Sequence, residues 1–396
     1  QIIKKLGEGA TSVVWLGHDP FADRDVAIKV VASSVFSEGE HGKIARNLCV
    51  TEASLAGKLV HPHIVQIYDA VADADPSYIV MEYVAGGTLE PYCTPDRLLP
   101  MVDLVEMIFK CTRALDFAYR LGVIHRDLKP ANILRAGSSG SDVKISDFGA
   151  ALSASSDQTA VAGIGSPAYM SPQQVKDHPL NHQSDIFSLG VVMYQLLTGQ
   201  LPFQGSNNIS IIYQITNVEP PPPSALRKGI PPAVDAIVMR AMKKSLEERY
   251  PTWDAFSFDL AETFRNEHLE EARERIADTE KFNTLRGLAF FRDFNDVQLW
   301  ELLGFSDWQR VKPGTVLMHE GQPGDNFCIL AAGEVKVTKN AKLLNVLSAG
   351  ECFGEMAYLN EAAGTRGADV STLREATVIT VPTAALRRAS DACRHS

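Results

Sequence analysis

The sequence predicts an α+β unit followed by a smaller unit of β-sandwich or barrel type, and three observations carry that prediction. At 396 residues the chain is longer than one hydrophobic core usually organises, so two domains are expected. Residues 1–85 read as strands with one helix, and helices dominate from 101 onward. After residue 304 short strands follow one another between glycine turns spaced about 8 to 12 residues apart, the pattern of a sandwich or barrel.

The elements follow in order. "DVAIKVV" (25–31) and "SYIVMEYV" (77–84) are β-rich runs, and 43–59 is helical before "HPHIV". Leu104, Ile108, Cys111, Leu115 and Ala118 form one stripe of an amphipathic helix, with Gly122 as its C-cap. "DIFSLGVVMYQLLTG" is apolar nearly all round, which predicts a buried helix ended by Gly199. "EPPPPS" (219–224) reads as a rigid exposed connection. Trp253, Phe256, Leu260 and Phe264 make the stripe of the last helix of the first unit. From 267 to 281 six acids (Glu267, Glu270, Glu271, Glu274, Asp278, Glu280) face three bases (Arg273, Arg275, Lys281), with Glu271 and Arg275 spaced for a helical pair. This predicts a solvated connecting helix over 267–285, between a first domain of 1–266 and a second of 286–396. In the second, "PGTVLM", "EGQPGDNFCIL", "AAGEVKV" and "LLNVLSAGE" are the strand and turn runs.

Composition excludes several classes. A net charge of -10 argues against nonspecific binding to nucleic acid or an anionic membrane. The six cysteines are scattered without a C-x-x-C pair, as in a reduced intracellular protein and not a disulfide framework or zinc site. No apolar run approaches the roughly 18 residues of a membrane span, and no signal peptide is visible. A cytoplasmic protein is expected. The chain opens at Gln1 inside a strand pattern and stops soon after a helical start, so it reads as clipped at both ends.

The chemistry concentrates in the first domain. "LGEGATSVV" places Gly7 and Gly9 two apart between strand-like flanks, where backbone N–H groups can approach phosphate oxygens. Alone, the pair is equally a tight hairpin turn. Alternation puts Lys29 beside Ala27 and Val31, so it needs a counter-charge or an anion, or else its stem snorkels to water. Glu52 is the natural partner. "HRDLKPANIL" (125–134) places Asp127 and Lys129 on a loop, with Asn132 five residues past Asp127. In "KISDFGA" Val143, Ile145 and Asp147 share one strand face, and Gly149 frees the chain to turn. One aspartate can take a hydroxyl proton, while Asn132 and Asp147 supply hard oxygens for magnesium or manganese. Loop acids and helix caps explain either stretch alone, but not all the pieces in this order.

In these motifs residues 1–266 resemble a protein Ser/Thr kinase of the bacterial eukaryotic-like type. The resemblance implies the two-lobed α+β protein-kinase fold, with ATP and a divalent metal as cofactors and a protein as substrate. Gly7 and Gly9 would cover the ATP phosphates, and Val14 and Ala27 would line the adenine. Met81 to Val84, Glu82 among them, would form the hinge that reads the adenine edge. Lys29 would pair with the phosphates and with Glu52. Asp127 would be the base and Lys129 would steady the γ-phosphate, with the metals on Asn132 and Asp147. Asp185 would brace the catalytic loop, and "GSPAYMSPQQ" resembles the substrate-positioning loop. No catalytic position is lost, which speaks against a pseudokinase. Two departures stand out: Ser12 replaces the third loop glycine, and Gln173 replaces the glutamate of a buried Glu–Arg pair, leaving a neutral hydrogen bond to Arg249. Arg126 before Asp127 implies switching by a phosphate on segment 147–173, at Ser153, Ser155, Ser156 or Thr159, with Ser166 structural.

Residues 286–390 resemble a cyclic-nucleotide-binding domain, which implies a β-sandwich of jelly-roll type with flanking helices. In "FGEMAYLNEAAGTRG" the family's phosphate cassette matches Phe353, Gly354, Glu355, Ala357 and Arg366. Glu355 would accept from the ribose 2′-hydroxyl, and Arg366 would close on the phosphate of cAMP or cGMP. The stretch between Glu355 and Arg366 is longer than usual, Gly367 replaces a small hydroxyl-bearing or methyl-bearing residue, and Glu361 and Asp369 add negative charge. The alternative is a turn in which Glu355 and Arg366 merely pair with each other. The expectation is therefore a Ser/Thr kinase regulated by a cyclic nucleotide, against a kinase whose second domain docks substrates or forms a dimer.

Overall fold

The computed structural model describes residues 1–8, 12–31, 50, 54–55, 57–71, 76–137, 140–148, 152–153, 167–265, 277–355, 365–390 and 393. The chain divides into two units, Gln1–Ala272 and Arg273–Ser396.

The first unit begins with a five-stranded antiparallel sheet: β1 (Ile2–Glu8), β2 (Ser12–Asp19), β3 (Arg24–Val31), β4 (Ile67–Val71) and β5 (Tyr78–Glu82). Their spatial order is β1-β2-β3-β5-β4, so β3 is central, with Lys29 in register between Val14 and Ile79. Ala27, Val31, Val65, Ile79 and Met81 form a core cluster under it. The helix predicted over 43–59 falls largely outside the described residues; Val50 and Ser54 are helical.

The helical part is built as its periodicity predicts. Leu104, Ile108, Cys111, Leu115 and Ala118 are all buried on the helix Met101–Arg120, and Gly122 follows it at φ +78°. The helix His182–Thr198 is buried along almost its whole length. Gly199 ends it at φ +73°, where an added Cβ would lie 2.4 Å from the Pro95 nitrogen, so only glycine fits. Trp253, Phe256 and Leu260 are buried on the helix Trp253–Arg265; the side chain of Phe264 lies outside the described residues. Burying each of these large apolar side chains contributes roughly 1.5–3 kcal/mol. The proline run is less exposed than expected: Pro220 and Pro223 are buried, since proline adds apolar surface with no N–H to satisfy.

Between these helices lie four short strands, β6 (Val123–Ile124), β7 (Ile133–Arg135), β8 (Val143–Ile145) and β9 (Leu152–Ser153), paired β6–β9 and β7–β8. They carry the loop that holds the candidate catalytic residues.

The second unit contains two four-stranded antiparallel sheets, consistent with the predicted sandwich. One has the order β10-β17-β12-β15, formed by Asp307–Val311, Ala376–Pro382, Asn326–Ala332 and Cys352–Phe353. The other, β11-β16-β13-β14, is formed by Val316–Met318, Asp369–Thr372, Glu334–Lys339 and Lys342–Ser348. Met318, Cys328, Leu330, Val335, Leu347, Phe353, Val370, Ala376 and Val378, drawn from both sheets, form one core. Helices Asp278–Gly287 and Asp296–Phe305 precede the sheets, joined by stacking of Phe282 on Trp300 with ring centroids 4.7 Å apart. Phe282 and Leu285 are fully buried, so this end of the 267–285 stretch packs into the second unit instead of standing in solvent. Among the described residues no helix is long and apolar enough to cross a membrane.

Candidate functional site

The loop after β6 is positioned by one buried carboxylate. Asp185 accepts from the backbone N–H of His125 at 2.7 Å and from that of Arg126 at 2.8 Å. Burial pushes its carboxyl up, while the charges of His125 and Arg126 and these two bonds pull the other way. Arg126 takes φ +70°, and its carbonyl accepts from the Gln174 side chain at 2.8 Å. Desolvation lowers the Arg126 guanidinium and Asp185 opposes that. His125 Nε2 lies 2.9 Å from the Ser146 carbonyl, and its ring packs on Phe148 with centroids 4.5 Å apart. Two buried residues thus tie the loop to the segment after β8.

Asp127 sits at the centre. Its Oδ2 accepts from Lys129 Nζ at 2.7 Å and from Asn132 Nδ2 at 3.1 Å, and its carbonyl accepts from Asn132 Nδ2 at 2.7 Å. The Asn132 carbonyl in turn accepts from Ser146 N–H at 2.9 Å. Asp147 does not continue the β8 face as expected. It leaves the strand at φ +61°, and that turn brings its carboxylate to Lys29 Nζ at 2.5 Å and Ser146 Oγ at 3.0 Å. Burial raises the Asp147 carboxyl, but the Lys29 charge and the two hydrogen bonds outweigh it and hold the group below its usual range.

The structure therefore gathers Lys29, Asp127, Lys129, Asn132 and Asp147. Val14, Val84 and Leu134 are partly buried and pack against the cluster that contains Ala27 and Met81. Leu134 was not singled out in the sequence, although it stands two residues past Asn132 at the strand period. The Glu82 N–H donates to the Gln66 carbonyl at 2.8 Å, and its carboxylate pairs with Lys144 at 3.0 Å. Gly7 pairs with Val14, and a Cβ there would meet nothing within 4 Å. Gly9, Glu52 and Gly149 lie outside the described residues, as do Ser155, Ser156, Thr159 and Ser166; the backbone of Ser153 pairs with Val123. Gln173 meets Arg249 as the sequence predicts, its Oε1 accepting from both terminal nitrogens at 3.2 Å.

In the second unit Arg366 is buried. Its Nη1 donates to the Gly354 carbonyl at 2.9 Å and its Nη2 to Asn326 Oδ1 at 2.8 Å. Its backbone is pinned on both sides, N–H to the Gln322 carbonyl at 2.7 Å and carbonyl to the Gly321 N–H at 2.8 Å. Gly354 adopts φ +84°, and a Cβ on it would lie 2.6 Å from Arg366 Nη1 and 2.7 Å from Met318 Cε. Glu355 forms no ion pair with Arg366, and its Oε2 is a buried atom without a hydrogen-bond partner among the described residues. Asn326 is a residue that sequence reasoning missed; no spacing rule singles out a carboxamide 40 residues before its partner. Ala357 and Glu361 lie outside the described residues.

Comparison with known proteins agrees with this geometry. The family profile of the protein kinase domain matches residues 1–257, and that of the cyclic nucleotide-binding domain matches 308–392. Among curated relatives, serine/threonine-protein kinase PknB of Mycobacterium leprae is 39% identical over 263 residues, 64% of this chain and 41% of that protein. PknB of Mycobacterium tuberculosis is 36% identical over 292 residues, covering 72% of this chain and 46% of the relative. PrkC of Bacillus subtilis is 34% identical over 283 residues, 71% and 43% respectively. The chain thus spans less than half the length of the relatives it matches. With the profile covering well over half of its residues, the chain belongs to the protein kinase family, and it carries a C-terminal cyclic-nucleotide-binding domain.

Proposed function

We propose that the first unit transfers the γ-phosphate of ATP to serine or threonine hydroxyls of proteins, and that a cyclic nucleotide bound at Arg366 regulates it. The observation that carries the kinase reading is the convergence of two hydrogen-bonded groups, Lys29 with Asp147 and Asp127 with Lys129 and Asn132, which Ser146 joins. Asp127 is the group placed to accept the proton of the acceptor hydroxyl, and Lys129, already on its Oδ2, adds positive charge where negative charge develops. Lys29 orients the phosphates against Asp147, and the apolar side chains of Val14, Ala27, Val84 and Leu134 shield the base from water.

The donor set fits a divalent cation. Asn132 spends its Nδ2 on Asp127, which leaves the hard Oδ1 available, and Asp147 is held as a carboxylate. Magnesium or manganese on Asn132 and Asp147 would neutralise phosphate charge.

In the second unit the orphan Oε2 of Glu355 and the held guanidinium of Arg366 suit a ribose hydroxyl and a cyclic phosphate, cAMP or cGMP. A docking or dimerisation role is a second reading, favoured by Leu343 and Leu344, 61% and 60% exposed on the strand β14 at a sheet edge. The test is phosphorylation of an acceptor protein by the full chain with each cyclic nucleotide, alongside calorimetric titration. Asp147→Asn should abolish activity, and Arg366→Ala should abolish binding while leaving basal activity. Loss of neither would overturn both assignments. Activity without nucleotide binding would leave the docking reading.

A further inference from the structure

Ser390 ties the C-terminal segment of the second unit to the helix Asp296–Phe305. Ser390 donates its backbone N–H to Glu301 Oε1 at 2.6 Å and its hydroxyl to Oε2 at 2.6 Å. The same Oγ accepts from the Cys393 N–H at 3.2 Å. One hydroxyl therefore grips a carboxylate and accepts the Cys393 N–H. Ser390 itself is exposed, while Ala389 and Cys393 on either side are buried. The helix Thr383–Leu386 ends before it, and local bonds follow, Arg388 N–H to the Ala385 carbonyl at 3.0 Å and Ala389 N–H to the Leu386 carbonyl at 3.2 Å.

None of the roles assigned above uses this clamp, and its chemistry resembles that of a latch. The hydroxyl is at the surface, in a short irregular stretch that can be drawn out without breaking a sheet. Arg387 and Arg388 precede it, both exposed. Residues 1–272 carry 32 acidic against 23 basic side chains, so the catalytic unit is net acidic and attracts a basic acceptor segment.

We infer that Ser390 is a phosphorylation site for the chain's own kinase unit, and that phosphate there opens the clamp on Glu301. The inference rests on the kinase reading above. In the step, Ser390 Oγ forms a bond to the γ-phosphorus of ATP as the bond to the β,γ-bridging oxygen breaks. ADP leaves with that electron pair, and the hydroxyl proton passes to the Asp127 carboxylate and on to solvent. The product has lost the donor hydrogen that Glu301 accepted. It also sets a phosphate of about two negative charges against a carboxylate, with Arg388 offering it another partner. Both Glu301 bonds and the bond from Cys393 are then lost together.

The test incubates the full chain with ATP and magnesium, with casein as a generic acceptor, then maps phosphopeptides and follows amide hydrogen exchange across 383–396. Phosphate on Ser390 is expected, with exchange in that peptide at least tenfold faster, since two charge-assisted hydrogen bonds are lost and one alone is worth about tenfold. Ser390→Ala should lose the phosphate and still phosphorylate casein at the parent rate. Ser390→Thr, which keeps a hydroxyl, should restore the phosphate, and Glu301→Ala should speed exchange without ATP. Casein phosphorylated while Ser390 stays bare overturns the site, and Ser390 phosphorylated with unchanged exchange overturns the clamp. If nothing is phosphorylated, the kinase reading fails and takes this inference with it.

Discussion

Gln173 and Arg249 share a forked contact in which one neutral carboxamide oxygen receives two guanidinium N–H bonds, each at 3.2 Å. Arg249 is fully buried and also donates to the carbonyls of Lys243 and Gln183 at 2.8 Å, and burial lowers it to about 10. A carboxylate at 173 would turn this contact into a two-pronged ion pair, roughly twice as strong per bond. Gln173→Glu should therefore stabilise the first unit by about 1 kcal/mol, raising its thermal midpoint by about 2–4 °C in scanning calorimetry. An unchanged or lower midpoint would show that the neutral contact is already optimal.

Asp185→Asn should damage turnover more than folding. The carboxylate receives N–H bonds on both oxygens, and an amide can accept on only one side. The NH₂ group would face a backbone N–H and displace His125 or Arg126, and with them Asp127. An unsatisfied buried donor costs about 1–3 kcal/mol, which corresponds to a fall in kcat of about 10- to 100-fold if it is expressed in the transition state. The KM for ATP should hardly change. Steady-state kinetics with a parallel melting curve separates the two, and unaltered kcat would remove Asp185 as a positioning residue.

Lys244 predicts a pH effect on stability. Its Nζ is buried without a hydrogen-bond partner among the described residues, 3.8 Å from the Phe203 ring centroid and 5.4 Å from that of Phe187. Burial is the largest influence and pushes the ammonium down to about 8, with Glu219 opposing and Arg249 and Lys243 assisting. Below that pH both folded and unfolded chains hold the proton, and the folded state bears the cost of burying it. Between about 8 and the model-peptide value of about 10.4 the unfolded chain binds more protons, so this residue's contribution rises with pH. Lys244→Met keeps the stem over the rings and removes the titration. Urea midpoints should show the variant gaining on the parent at pH 7 and losing that advantage by pH 9.5; a pH-independent gap would refute the assignment.

Arg366 should depend on Asn326 and Gly354 for its pose. Asn326→Ala deletes the acceptor of its Nη2 and should weaken cyclic nucleotide binding about tenfold, whereas Asn326→Asp should retain the hold. Gly354→Ala adds a Cβ at φ +84° into Arg366 Nη1 and Met318 Cε, and should abolish binding and destabilise the second unit. Calorimetric titration of each variant checks this; full affinity in Gly354→Ala would mean that Arg366 is not the anion-holding group.

Periodicity and turn chemistry made the helices legible. Leu104 to Ala118, the 185–198 run that is apolar nearly all round and Gly199 each follow from local geometry alone. The candidate site residues Asp127, Lys129 and Asn132 were legible for another reason: their spacing is short, so motif and site nearly coincide. What escaped was long-range or conformational. Asn326 meets Arg366 only because β12 and the cassette are neighbours in space, and Leu134 joins Val14 only once the sheet and β7 share one cluster. Asp147 looked like a strand residue because period-2 alternation carries no information about where a strand ends. The positive φ that turns its carboxylate to Lys29 is a property of the backbone, and aspartate is among the few side chains that tolerate it.

The Asn132 side chain that would hold a metal is the one that donates to Asp127, and its carbonyl accepts the N–H of Ser146, whose hydroxyl in turn reaches Asp147. The proposed base and metal ligands are thus links of one hydrogen-bonded chain that runs from Asp127 through Asn132 and Ser146 to Asp147. Rate losses from single substitutions along this chain will overlap instead of multiplying, because the first break already slackens its neighbours.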